Sequence, residues 1–287
     1  DSVDQSVLNR MRKLIQSIDV DALTMNIESL AECMFTHKWI NPFPKFKYSE
    51  RPDTATAAIL DGNIVIMVDN SPAVMIIPAS IFDIIEEADD FNFSPMIGSY
   101  LRITRFFFSI VTWILTPLWL LFVNNPDWVP EFMKFVLITD DITVPVLLQL
   151  IILELAVDGL KLAAVNTPTM LSTPLSIVAG IVVGEYAVSS GWFNPEALLY
   201  MAVVTVGTYG QTNFEMGYAF KFLRVLTLIL TQVFNLGGFI AGVVISVLMI
   251  AFNRTITGKS YIYPLIPWDG KMLKRKVFRV RLPHSYK

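Results

Sequence analysis

The chain has 287 residues, 54% of them hydrophobic and only 16% charged, with a net charge of −3 and a mean hydropathy of +0.54. That balance lies outside the range of ordinary water-soluble domains. One cysteine and two histidines exclude an internal disulfide and leave little for a Cys- or His-based metal centre. The charge is also segregated: ordinary over residues 1–100, sparse over 106–252, and basic at the end, where Lys271, Lys274, Arg275, Lys276, Arg279 and Arg281 follow one another.

Residues 1–100 read as a water-soluble α+β module. Val7, Met11, Leu14, Ile15 and Ile18 recur at helical intervals and predict a helix over 4–18, with a second from 21 to about 33. Cys33, on that second helix, reads as a small buried hydrophobe. Asn41-Pro42-Phe43-Pro44 ends the helical pattern, because proline pushes its predecessor out of the helical region. Apolar runs at 57–60, 64–68 and 74–77 predict a small antiparallel meander, with Asp61-Gly62 as a hairpin turn between the first two. A helix is expected at 80–88. The chain opens at Asp1, and no charged stretch leads into a short apolar core there. The reading expects a longer protein whose N-terminal part precedes this sequence.

From residue 106 the chain turns apolar. Residues 106–123 hold no charge and are long enough for a first membrane span. Arg102 and Arg105 lie just before it, and Trp119 and Trp128 suit the interface. The second span runs over 144–164. Four shorter apolar segments follow at 177–190, 197–209, 220–234 and 239–252, the last two split at Asn235-Leu236-Gly237-Gly238 or joined as one long helix kinked at the glycines. Lys and Arg concentrate on the cytoplasmic side. That places residues 1–105 and the basic tail in the cytoplasm, 124–141 outside, and makes the number of crossings even. The expected fold is an α-helical multi-pass membrane protein of four to six crossings, some short or broken, with an N-terminal cytoplasmic α+β module. Its parts are the module (1–100), a transmembrane domain (101–257) and a basic cytoplasmic tail (258–287).

A few polar residues interrupt the apolar region. Glu154, Asp158 and Lys161 stand at i, i+4 and i+7, on one face of one helix. A charge in hydrocarbon costs about 2.5–3.5 kcal/mol even on a lenient insertion scale, so these three are expected to face protein or water. Glu154 is a candidate for an ion path. Asp158 and Lys161 read either as part of that path or as a helix-pairing couple near the cytoplasmic end. Glu185, inside the run 177–188 with no cation on its own turn, is the second candidate for the ion path. Gly180 and Gly184 form a Gly-x-x-x-Gly step, which reads as close helix packing. The polar link 208–217, with Asn213, Phe214 and Glu215, reads as an ordinary loop or as unwound backbone at a gate. No phosphate loop, catalytic triad or paired carboxylate appears, so no enzyme, cofactor, metal or nucleic-acid partner is expected.

Several longer strings occur in a fixed order. They are Tyr48-Ser49-Glu50-Arg51-Pro52-Asp53, Leu60-Asp61-Gly62-Asn63, Val68-Asp69-Asn70-Ser71-Pro72 with Ile77-Pro78, and Leu101-Arg102-Ile103-Thr104-Arg105-Phe106. Thr116-Pro117-Leu118-Trp119, Val144-Pro145-Val146-Leu147, Asn166-Thr167-Pro168-Thr169 with Leu171-Ser172-Thr173, and Phe193-Asn194-Pro195-Glu196 continue the series. Over about residues 40–270 this pattern resembles the spore germination A-subunit family of the GerA type. Asp69-Asn70-Ser71-Pro72 and the Thr-Pro-Thr plus Leu-Ser-Thr run are most similar to its stage V sporulation AF branch. The resemblance implies a subunit in the inner membrane of the endospore, with both termini on the spore-core side. It implies assembly with copies of itself and with other germination membrane proteins, and conduction of monovalent cations during germination. The alternatives are a non-conducting scaffold or signal-relay subunit of a germinant receptor complex, and a secondary transporter. The family's acid-and-base pair falls on Asp158 and Lys161, where the family usually has Glu and Arg. Its Ser-Tyr-Glu element falls on Asn213-Phe214-Glu215, here without the proline that usually precedes it.

Overall fold

The computed structural model describes residues 3–35, 41–166 and 180–280. The Thr-Pro-Thr and Leu-Ser-Thr motifs, the start of the 177–190 segment and Arg281 lie outside the described residues. The fold is mostly helical with one small sheet, and the chain forms two compact units. The first joins Asp1–Phe106 with Thr212–Met216 and Val247–Lys287, and the second joins Phe107–Gln211 with Gly217–Ser246.

In the first unit, α1 (Gln5–Gln16) starts where the Asp4 carboxylate accepts from Ser6 N, and it buries Val7 and Met11. The second helix, α2 (Ile27–Met34), buries Ile27, Leu30, Ala31 and Met34, an i, i+3, i+4, i+7 stripe. Both faces pack on Phe46, Met75, Ile77 and Ile256, which form the core of this unit. Cys33 lies on the opposite face of α2 and is exposed, so the buried-hydrophobe reading fails.

The sheet corrects the expected meander. Residues 57–60 are the end of a helix, α3 (Pro52–Leu60), with proline in its first turn and three alanines. A four-residue apolar run has no period long enough to separate strand from helix. Asp61-Gly62 therefore closes a helix rather than a hairpin. Gly62, at φ 88°, sends its N–H to Ile59 O, and Asn63 sends its N–H to Ala58 O, the bond pair that terminates a helix on a left-handed residue. The strands are β1 (Lys47–Ser49), β2 (Ile64–Met67) and β3 (Val74–Ile77). Their order is β1-β3-β2, both pairings antiparallel. Asn70, at φ 59°, sits in the β2–β3 turn, where a hairpin was expected. After α4 (Ile81–Ile85), held by a Ser80/Asp83 capping box, α5 begins.

Among the described residues, two helices are long and apolar enough to cross a membrane: α5 (Pro95–Asn124, 30 residues) and α8 (Phe214–Ala251, 38 residues). Between them in sequence lie α6 (Val146–Asn166), a π turn (Ile181–Tyr186) leading into Ala187–Ser189, and α7 (Pro195–Tyr209). The core of the second unit gathers Trp119, Leu120, Leu150, Leu153, Phe193, Ala197, Met201 and Leu228. Trp119 is buried within this unit; its Nε1 donates to Val136 O and its ring packs on Tyr200.

The expected break at 235–238 is real, and Asn235 makes it. Asn235 alone leaves helical geometry inside α8 (φ 53°, ψ −129°). The arm after it folds back on the arm before it: a methyl built on Gly242 would sit 2.9 Å from Thr227 Cα, and one on Gly238 would collide with Leu230 O. Gly238 and Gly242, one turn apart, face Leu230 and Thr227 and let the backbones approach. The tip is tied down by reciprocal amide bonds, Asn125 Nδ2 to Asn235 Oδ1 at 2.6 Å and Asn235 Nδ2 to Asn125 Oδ1 at 2.9 Å.

Candidate functional site

The acidic face of α6 meets two cations on the first arm of α8. Glu154 is 4% exposed and Arg224 2%. Arg224 Nε and Nη2 both reach Glu154 Oε1 at 2.5 Å, and Arg224 Nη1 donates to Thr112 O on α5. One turn earlier, Lys221 bonds Asp158 directly. Its Nζ also lies 3.5 Å from Glu154 Oε2 and 3.3 Å from Glu154 O. Spacings of i, i+4 on α6 and i, i+3 on α8 bring the four groups into register. Two negative and two positive charges thus close on each other and tie three helices. Desolvation of such charges is costly unless geometry and extra hydrogen bonds compensate it, and here the carbonyls of Thr112 and Glu154 serve the remaining N–H groups.

The sequence anticipated the acidic half of this cluster and missed the basic half. Asp158 was expected to couple with Lys161; it attracts Lys161 electrostatically and also bonds Lys221 on another helix. Lys161 lies over the rings of Tyr209 and Tyr218, at 5.0 and 5.6 Å from their centroids, a cation–π arrangement. Lys221 and Arg224 were hidden in the apolar string Phe220-Lys221-Phe222-Leu223-Arg224-Val225. The available signal was charge balance: two carboxylates one turn apart in one apolar helix call for two cations with matching spacing in another.

Glu185 has a different setting. It lies in the π turn and is exposed, as are Ile181, Gly184 and Tyr186 around it. Insertion of an extra residue in a helical turn is rare and is frequent at functional positions. Among the described residues, nothing lies within 4 Å of a methyl built on Gly180 or Gly184, the glycines expected to allow close helix packing. The polar link proves short. Asn213 caps α8, its Oδ1 accepting from Met216 N at 2.9 Å. Phe214 is exposed and Glu215 stands in the first turn, where a carboxylate complements the helix dipole. Beside it Gln211 bonds Ser109.

A buried cation also occupies the first unit. Lys45 is 3% exposed; its ammonium bonds Asn253 Oδ1 and, at 2.7 Å, Arg254 O, and it lies over the Phe35 and Tyr261 rings. Burial pushes its pKa down from 10.5 to about 8.

Among the described residues the geometry shows two apolar helices long enough to cross a membrane, a buried cluster of two carboxylates and two cations, and an exposed carboxylate, Glu185, among exposed apolar side chains. The profile of the Bacillus/Clostridium GerA spore germination protein family matches residues 1–287, and the chain belongs to that family. It is similar to Stage V sporulation protein AF of Bacillus subtilis, 35% identical over 283 residues that cover 99% of this chain and 57% of that protein. Spore germination protein KA of the same organism is 26% identical over 96% of this chain and 51% of its own length. Spore germination protein GerLA of Bacillus cereus is 26% identical over 99% of this chain and 58% of its own length. The chain spans a little over half the length of these relatives. No solved structure matches it.

Proposed function

We propose that the chain is the membrane-embedded part of a spore germination protein, and that copies of it assemble with other germination proteins into a cation-conducting complex. Glu185 carries this reading. A carboxylate on an apolar surface is costly in contact with lipid and is expected to face protein or water. Gly180 and Gly184 beside it touch none of the described residues and offer a close approach to a second copy. Repeated around a ring, Glu185 gives a band of negative charge that favours cations. The Glu154–Arg224 and Asp158–Lys221 pairs, closed on themselves, act as the tie that holds the helices; Glu154 thereby leaves the ion path to Glu185. The cap at Asn213 with Phe214 and Glu215 serves as a rigid joint at the start of α8.

The proposed topology keeps both termini on the spore-core side. α5 crosses outward from Arg102 and Arg105, the Asn125–Asn235 amide pair holds the tip of the α8 hairpin at the outer end of α5, and the second arm returns toward the basic tail. The test is current through planar bilayers containing the purified chain. Cation-selective conductance that falls, or loses selectivity, in Glu185→Gln supports the reading. A correctly inserted chain with no conductance would favour the scaffold role.

A further inference from the structure

The basic helix near the C-terminus has two different faces. In α9 (Gly270–Val277) the inner face is committed. Lys276 Nζ pairs with Asp83 Oδ1 at 2.5 Å and Glu86 Oε2 at 3.0 Å. Burial opposes the charge on Lys276, but the Asp83 and Glu86 carboxylates outweigh it and hold its pKa above the ordinary lysine value. The backbone is pinned to the base of α5: Arg102 Nη1 donates to Arg275 O, and Arg279 N donates to Ser99 Oγ, both at 3.0 Å. Arg102 precedes Phe106, where the apolar run of α5 starts, by four residues, or about 6 Å of helix rise.

The outer face carries Lys271 and Lys274, with Trp268 before the helix and Phe278 at its C-cap, each exposed. Just before it, Ile266 is 57% and Trp268 72% exposed. Two cations flanked by apolar and aromatic side chains, held one turn from the start of a membrane span, match the composition of surfaces that lie in the headgroup layer.

We propose that this face, with the 265–268 loop, docks on the anionic headgroups of the bilayer that holds α5. Ile266 and Trp268 enter the interface, and Lys271 and Lys274 meet the phosphates. Because α9 also clamps Asp83 and Glu86, the docking fixes the first unit against the membrane surface through the C-terminal segment. The inference rests on the proposed membrane placement and not on conduction.

The experiment uses the whole chain as Cys33→Ser/Ile266→Cys, labelled at 266 with a polarity-sensitive fluorophore, in nanodiscs of phosphatidylcholine with or without phosphatidylglycerol. Incorporation into the disc reads the membrane placement separately from emission at 266. The expected result is a blue shift and quenching by brominated acyl chains when phosphatidylglycerol is present, weakening as salt is raised. A lysine near an anionic surface contributes about 1 kcal/mol, so Lys271→Glu and Lys274→Glu, which remove one cation and add one anion, should each lower the docked-to-undocked ratio at least about fivefold. Emission that ignores lipid charge and salt in an incorporated chain would overturn the proposal. So would a shift that appears only with two copies per disc, which would make a second chain the occupant. The salt series on the labelled chain keeps the test decisive if a charge-reversed variant fails to fold.

Discussion

Glu154 and Glu185 are the same residue type in similarly apolar sequence, yet the region between α5, α6 and α8 and the region of the π turn treat them oppositely. Glu154 is buried with two cations around it, Lys221 and the carbonyl-bound guanidinium of Arg224. Glu185 is exposed, in a distorted turn beside two glycines that touch none of the described residues. A carboxylate in an apolar run thus signals function only once its partners from other helices are known. The internal glycines divide the same way: Gly242 touches Thr227, whereas Gly184 touches none of the described residues.

The sharpest way to break this comparison is Arg224→Met, which leaves Glu154 buried without its main partner. Loss of one member of a buried pair costs about 3–5 kcal/mol. We expect a large drop in the thermal unfolding midpoint in detergent, partly restored in Arg224→Met/Glu154→Gln; an equal or larger drop in the double variant would mean the pair is not a unit. Gly242→Val should cost about 1–3 kcal/mol by overpacking the hairpin, while Gly184→Val stays within about 0.5 kcal/mol in the isolated chain. The same denaturation series, run on both, checks that contrast. Glu185→Gln should also leave stability within about 0.5 kcal/mol but change the reversal potential or conductance of reconstituted channels; silence there would remove Glu185 from any path.

The smallest effect concerns Lys45, a buried cation that, unlike Arg224, bonds neutral groups. Its pKa is near 8 when folded against 10.5 ordinarily. Between those values the unfolded chain binds more protons, so stability should rise as pH climbs from about 8 toward 10.5 and lie at its lower level below 8. Lys45→Met should flatten that rise in pH-dependent melting curves; an unchanged slope would assign it to other groups.

Where the hydrophobic period was long, the elements were legible in the sequence. The 4–18 helix, the start of the apolar region and the break near Asn235 were each readable from spacing, proline and glycine. The 57–60 run was not, because four apolar residues satisfy either period and only the helix-ending hydrogen bonds of Gly62 and Asn63 decide it. Cys33 was misplaced for a related reason: residue type ranks average burial, while the face of a helix sets it for each residue.

The candidate site was half legible. Glu154, Asp158 and Glu185 stand out because charge is rare between 106 and 252, and their chemistry requires protein or water around them wherever the chain folds. That much follows from sequence, since the cost of an unsatisfied charge in apolar surroundings does not depend on topology. Which carboxylate is neutralised does depend on it. Lys221 and Arg224 lie more than sixty residues from Glu154, and only the packing of α8 on α6 brings them within bonding distance. Ion pairing acts over a few ångströms, so it is decided by the tertiary structure, whereas the need for a partner is already fixed by the residue itself.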